Sequence, residues 1–361
     1  MSRYLVTFTP LEPYFFGSER TLAWPGDRSL YKQGYYIRSE KWPLQTTLFG
    51  AVRFLLLQAN GRKPGDTSAL SEKEQALIGP ESFDPDKTAP QPFGLIRSLS
   101  PLFLARQADG RLLIPAPMDH RCGAGGRYTP FADYSGPAET ADGPKIWTEE
   151  YNAKEGTVSG WLSLKDGTVL HNGSLFRPVP RTGINRGRQN DGYFKKEYQR
   201  LEEGYAFAAF CDLAGEPENP PPSVVYLGQG KSAFRVAFTP SATDWRETVR
   251  PLFESHPVLS RRALVYLPSD ALVPDGGDRG VYDGLLFAAA GVRDFRTIVT
   301  VNAGDRIHRR KHPCFRHLLQ AGSVLIAEIG QKAREWADRH SHPNAAQIGM
   351  NQFVILEEKA K

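Results

Sequence analysis

Two short stretches concentrate the side chains that could grip an anion. Residues Arg181 to Arg200 hold six cations (Arg181, Arg186, Arg188, Lys195, Lys196, Arg200) against two anions (Asp191, Glu197), a net of +4. Thr182, Gly183, Asn185 and Gly187 interleave with the arginines, and Tyr193, Phe194 and Tyr198 follow. A flexible basic loop with rings beside it suits single-stranded RNA, because cations meet phosphates while aromatic faces stack on bases. A solvated loop of scattered charge is the bland alternative, but an ordinary surface mixes both signs. The second stretch, Asp305 to His317, carries five cations against one anion together with His308, His312 and His317. Arg309, Arg310 and Lys311 point first to a phosphate-binding hairpin. A nuclease using one histidine as base and another as acid competes with that reading. His308, His312, Cys314 and His317 also carry metal donors, yet adjacent cations oppose a divalent ion and no C-x-x-C pair accompanies them. No metal and no other cofactor is assigned.

Weaker signals lie elsewhere. Thr46, Gly50 and Arg53 fall at i, i+4 and i+7, one helix face opposite a leucine stripe, where hydroxyls at a helix start and an arginine can seat a phosphate. The competing reading is only a capped helix with a small residue at a packing contact. Leu227 to Ser232 imitates a phosphate loop, but Val225 occupies the position of the required first glycine and no helix follows. No G-x-S-x-G elbow occurs, and carboxylates read as scattered, with no D-x-D or H-D pair in a loop suited to two metals. Gly123-Ala124-Gly125-Gly126 reads as a hinge. The balance favours binding over catalysis.

The chain that must position these residues has 361 of them, enough for two domains. Its 45 Lys+Arg against 40 Asp+Glu give +5, so the first basic stretch accounts for nearly all the net charge. Hydrophobic residues at 40% and charged residues at 24% exclude a disordered tail, a collagen-like rod and a coiled coil. Gly 34 and Pro 28 exceed the usual share and exclude a helical bundle in favour of many turns. No apolar run approaches the ~18 residues of a membrane span. Three dispersed cysteines, Cys122, Cys211 and Cys314, argue against a disulfide framework and for a reducing cytoplasm.

Alternation around Tyr4, Val6 and Phe8 predicts an N-terminal strand. Leu48, Val52, Leu55 and Leu56 predict a helix over residues 43–57, with Thr46 or Thr47 as its cap. Residues 60–92 read as a surface insertion, and 119–160 as the least structured part of the chain. Further strands are expected at 100–104, 111–114, 205–213, 223–238, 262–267, 295–301, 323–329 and 352–356, with a helix at 331–339. Strands mixed with two or three helices indicate α+β, and both halves fit strand, helix, two strands, helix, strand.

Several short segments, in order, resemble one family. They are Tyr14-Phe15-Phe16-Gly17, Leu44 to Arg53, Leu112 to Asp119, Thr182 to Arg186, Tyr226-Leu227-Gly228, Gln320 to Val324 and Ile348-Gly349. Together they are similar to the RAMP-superfamily, Cas-five-like third subunit of type III-B CRISPR (Cmr) effector complexes. Gln45 departs from that pattern, where a small residue or proline is usual, and Gly349-Met350-Asn351 lacks a second glycine. The resemblance implies two ferredoxin-like (RRM-like) domains with long loop insertions, divided here at residues 1–240 and 241–361. It implies a non-catalytic subunit that holds the 5′ repeat-derived handle of the CRISPR guide RNA. Its partners would be a large polymerase-like CRISPR subunit and the Cmr backbone subunits, without membrane. Thr46, Thr47 and Arg53 would lie near handle phosphates, and Thr182 to Arg188 would form a hairpin among handle nucleotides. Two alternatives stand beside it: a guide-processing RAMP endonuclease using a histidine, and the equivalent subunit of another type III complex. The absence of histidine from residues 43–57 counts against the endonuclease.

Overall fold

A computed structural model describes residues 2–17, 34–122, 128–151, 154, 156–187, 190–217, 221–273 and 280–357. The architecture is mixed α and β, with many strands and few helices. The strand Ser2–Pro10 lies at the centre of the largest sheet, antiparallel to Tyr205–Leu213 on one side and to Ser232–Pro240 on the other. Beyond Tyr205–Leu213 come Ile96–Leu99 and Phe103–Arg106, and beyond Ser232–Pro240 comes Val224–Leu227. Phe103–Arg106 passes the sheet on to Leu112–Pro115, Gly160–Ser163 and Val169–His171. Tyr205–Leu213 is apolar almost throughout because both of its faces are covered. Val6, Phe8, Phe207, Ala209 and Cys211 meet the helix Gln45–Ala59 through Leu48, Val52, Leu55 and Leu56. Leu5, Ala208, Phe210 and Phe103 point the other way.

The second half repeats this strand order. Ala263–Tyr266 is central, antiparallel to Val324–Ala327 and to Val354–Leu356, and Leu285–Ala289 pairs with the outer edge of Val324–Ala327. Ala263, Val265 and Leu267 face the helix Gly330–Arg339 through Ala333 and Trp336. Leu264 and Tyr266 face the first sheet, in one cluster with Phe103, Ala208 and Phe210. Each half therefore carries its helix on one face, and the opposite faces share one core with Trp245, Val249 and Phe253 of the segment that joins the halves. That geometry closes the exposed sheet surface on which an RRM stacks bases. Base-binding groups must sit on loops, hairpins or helix ends instead.

Several expectations need correction. The first helix begins at Gln45 after Leu44, and no side chain caps it, so neither Thr46 nor Thr47 is the cap. Residues 60–92 are partly buried: the helix Glu72–Ile78 carries a Ser71/Glu74 capping box, and Leu70, Ile78 and Phe83 enter the main core. Residues 119–160 form strands at His120–Cys122, Tyr128–Pro130, Tyr134–Thr140 and Gly143–Thr148. The expected strand at 223–238 is a hairpin, Val224–Leu227 and Ser232–Pro240, and that at 295–301 splits into Val292–Phe295 and Ile298–Ala303. The expected second helix of the first half is absent among the described residues between 213 and 232, as is the expected first helix of the second half between 266 and 285. Gly123–Gly126, proposed as a hinge, lies outside the described residues.

Candidate nucleic-acid interface

The basic stretch is a paired ladder rather than a flexible loop. Phe176–Gly187 and Asn190–Leu201 form an antiparallel hairpin in unbroken register, from Phe176 opposite Leu201 to Gly187 opposite Asn190. Pro178 and Pro180 are tolerated because Phe176–Gly187 is the edge strand of its sheet. The inner strand pairs in parallel with Gly34–Glu40 and bridges to Tyr14, which fixes the hairpin's base.

Side chains directly opposite one another share a face of a ladder. The register therefore aligns Arg177 with Arg200, Val179 with Tyr198 and Arg181 with Lys196 on one face. Arg177, Arg181 and Arg200 are exposed, and the Arg181 guanidinium lies over the Tyr198 ring at 4.5 Å. Tyr198 meets Phe15 edge-on at 5.4 Å, and the Lys196 ammonium stands 5.7 Å from the Phe15 ring centroid. This face interleaves cations with rings, the pairing a single strand needs for phosphate neutralisation and base stacking. Thr182 and Lys195 sit opposite each other on the other face, both exposed. Gly183 pairs with Phe194, Asn185 with Gly192 and Arg186 with Asp191. Arg188 lies outside the described residues.

The glycine turns explain why the family-like segments are spaced as they are. Gly228 has φ +74, and a Cβ there would overlap the Phe15 carbonyl oxygen, so Tyr226-Leu227-Gly228 closes onto Tyr14-Phe15-Phe16-Gly17. Gly322 has φ +94 and approaches the Ala116 carbonyl, joining Gln320–Val324 to Leu112–Asp119. Gly349 has φ +88 and packs against the Ser100 carbonyl and the Gln45 amide, while Gln45 Nε2 donates to the Ser100 oxygen at 2.8 Å. The two departures from the family pattern thus touch each other. These segments approach protein backbone, which leaves the hairpin as the motif with an open face.

The helix-face expectation holds only in part. Thr46 and Thr47 are half-buried in the first helical turn, and Gly50 opens onto free space. Arg53 turns inward instead of joining them. It is 7% exposed, its Nε donates to the Ile78 carbonyl at 3.0 Å and a terminal nitrogen to the Gly79 carbonyl at 3.3 Å. Burial pushes its pKa down to about 10. It closes the end of the helix Glu72–Ile78, and its charge does not face solvent.

The second basic stretch is a ribbon of Ile298–Ala303 against Arg306–Lys311. Arg309 lies opposite Thr300, Arg310 opposite Val299 and Lys311 opposite Ile298, with all three cations exposed. The ribbon is footed on the first half: Ile307 N–H donates to the Thr67 carbonyl and Thr300 N–H to Ser82 Oγ. The three histidines do not assemble into an acid–base pair. His308 is exposed on the ribbon, His312 is buried against Asp86 at 3.1 Å and Asp84 at 3.5 Å, and His317 faces Asp294 at 3.3 Å on another strand.

Sequence reasoning missed two clusters. Asp84-Pro85-Asp86 is a D-x-D pair inside the supposed insertion, and it meets His312 across the fold. Asp119 is fully buried, accepting from His120 Nδ1 and His256 Nε2, both at 2.8 Å. Burial alone would raise its pKa, but the two imidazole hydrogen bonds prevail and hold the carboxyl well below its usual range. His256 Nδ1 accepts from Val258 N–H, so its Nε2 bears the proton that Asp119 receives. The adjacency of Asp119 and His120 was visible in the sequence; His256, 137 residues away, was not.

No curated protein sequence matches the chain. A chain of a type III-B Cmr-β complex bound to cognate target RNA and AMPPnP is similar over 97% of this chain and 95% of its own, with TM-score 0.49 and 13% identity. A chain of the same kind of complex with target RNA alone gives 97%, 96%, 0.49 and 12%. A chain of the Csm3–Csm4 subcomplex of a type III-A interference complex covers 89% of this chain and 92% of its own, with TM-score 0.34 and 12% identity. The pattern of the CRISPR-associated protein (Cas_Cmr3) family matches residues 6–358, nearly the whole length. The chain belongs to the CRISPR-associated protein (Cas_Cmr3) family.

Proposed function

We infer that this subunit grips the 5′ repeat-derived handle of the guide RNA in a type III-B (Cmr) effector complex, without cutting it. The observation that carries this reading is the hairpin face on which Arg177, Arg181, Lys196 and Arg200 surround Tyr198. Phosphate contacts from those cations set register, and stacking on the ring holds a base. Thr182, Gly183, Asn185, Arg186 and Lys195 extend the same hairpin toward its tip, and Arg188 is kept in the set by its place in the sequence. Thr46 and Thr47 offer hydroxyls at the first helix's open end, and Arg309, Arg310 and Lys311 form a second phosphate-binding footing on the ribbon. Arg53 is withdrawn from the set because its guanidinium is engaged by two carbonyls.

The non-catalytic assignment rests on the dispersal of His308, His312 and His317, each with its own surroundings. Two ferredoxin-like domains, 1–240 and 241–361, are our reading of the repeated strand order, each half keeping one of the two expected helices. The partners are a large polymerase-like subunit and the Cmr backbone subunits. No helix among the described residues is long and apolar enough to cross a membrane. The compartment is the cytoplasm, where the free thiols of Cys211 and Cys314 stay reduced.

The test is a labelled guide-like RNA with or without its repeat-derived 5′ tag, mixed with the full chain in magnesium or in chelator. Native and denaturing gels are then run in parallel. A shift that requires the tag, with the RNA intact, is the expected result. A cut product, lost on His308→Ala or His317→Ala, would replace this reading by the endonuclease.

A further inference from the structure

We propose that Asp86, His312 and Cys314 form a zinc site that clamps the basic ribbon to the first half of the molecule. Each offers one ligand atom, and the three atoms lie within 4.8 Å of one another. Around a tetrahedral Zn²⁺, with bonds of about 2.0 Å to nitrogen or oxygen and about 2.3 Å to sulfur, ligand atoms stand roughly 3.3–3.8 Å apart. About 1 Å of contraction therefore completes the site, and exposed Asp86 and Cys314 can supply it.

The surroundings are those of a built site. His312 is 5% exposed, with Nε2 directed at Asp86 and Asp84. Its Nδ1 accepts from the Cys314 N–H at 3.2 Å, which puts the ring proton on Nε2 beside Asp86. Taking a metal moves that proton to Nδ1, where the Cys314 carbonyl oxygen at 3.4 Å receives it, and frees the Nε2 lone pair. Asp86 Oδ2 faces the imidazole, while Oδ1 is paired with Arg316, so one oxygen is left for the ion and the other is held. Binding releases the Cys314 thiol proton to solvent, and Zn²⁺ with one carboxylate and one thiolate is neutral overall. The cations that opposed a metal in the bare sequence are set apart here: Arg309 and Lys311 are exposed on the ribbon, while the Asp84–Asp86 loop brings two carboxylates to balance nearby Arg310 and Arg316. Asp84 Oδ1, 3.5 Å from His312 Nε2, is a further carboxylate next to the imidazole. This proposal is independent of the RNA reading.

The experiment uses the reduced full chain, freed of metal by chelator and desalted, titrated with Co²⁺ as probe and then displaced with Zn²⁺. One Co²⁺ per chain is expected, with tetrahedral visible bands and a thiolate-to-cobalt charge-transfer band. Cys314→Ser should abolish the charge-transfer band, and His312→Gln or Asp86→Asn should weaken binding tenfold or more. His308→Gln and His317→Gln should leave both unchanged. No tetrahedral spectrum, a charge-transfer band that survives Cys314→Ser, or affinity that is indifferent to His312 and Asp86 would overturn the site. Circular dichroism monitors folding, and Cys314→Ser and Asp86→Asn, at exposed positions, decide the question even if His312→Gln fails to fold.

Discussion

Replacing Arg53 by methionine separates a structural arginine from a phosphate-binding one. The methionine keeps the apolar stem among Phe49 and the helix Glu72–Ile78 but removes two donors. The bonds at 3.0 Å to Ile78 and 3.3 Å to Gly79 are charge-assisted, and such a bond contributes roughly 1.5–3 kcal/mol, with the longer one at the low end. Losing both leaves two carbonyls without a donor. Against this, methionine no longer holds a desolvated charge, which returns part of the loss. The net expectation is a destabilisation of about 2–4 kcal/mol. Urea unfolding followed by circular dichroism measures it, and RNA affinity across a salt series is measured alongside under native conditions. A folded-state role predicts a lower unfolding midpoint with the salt slope unchanged. Unaltered stability, together with a slope shallower by about 0.7, the value for one lost phosphate contact on a single strand, would refute the argument.

Other outcomes follow from the same geometry. Arg181→Ala with Lys196→Ala should lower the salt slope of RNA binding by about 1.4, and Tyr198→Ala should cost about 1–3 kcal/mol of affinity with the slope intact; equal effects of all three on slope would dissolve the distinction between phosphate and base contacts. Gly349→Ala forces a side chain into φ +88 against the Ser100 carbonyl and should destabilise the chain by about 3 kcal/mol, read by thermal or urea unfolding. The Asp119 carboxylate, held low by His120 and His256, contributes stability that is complete above about pH 4 and is lost as pH falls below that. The stability gap between the wild-type chain and Asp119→Asn should therefore shrink from pH 6 to pH 3, and a constant gap would remove the two imidazoles as its cause.

How much of this was legible in the sequence depended on whether the deciding contact was local. Val6, Phe8 and the stripe Leu48, Val52, Leu55, Leu56 obey a simple period, and all are buried where that period puts them. Tyr205–Leu213 and Gly330–Arg339 were equally plain from apolar runs and helix formers. Arg53 defeated the same logic because its partners lie on another helix 25 residues on, and helical spacing says nothing about a neighbour. Leu44, not a threonine, precedes the helix, since the buried core rather than a cap hydroxyl fixes where it starts. Residues 119–160 looked formless through their glycine, proline and polar residues, yet local hairpins order them and buried Asp119 ties them to His256, 137 residues on. In the site, charge density located both basic ribbons, but the register that aligns Arg181 with Lys196 needed the ladder. The meeting of Asp86 with His312 needed the whole fold.

The central claim is that the handle lies along the cation-and-ring face of the hairpin. Tagged guide RNA carrying 4-thiouridine at single handle positions, photo-crosslinked to the full chain and mapped by peptide mass spectrometry, tests it most directly. The account predicts crosslinks within residues 176–201, concentrated at Tyr198 and Arg181, and lost when the tag is deleted. Crosslinks that bypass this hairpin and fall elsewhere on the chain would contradict it.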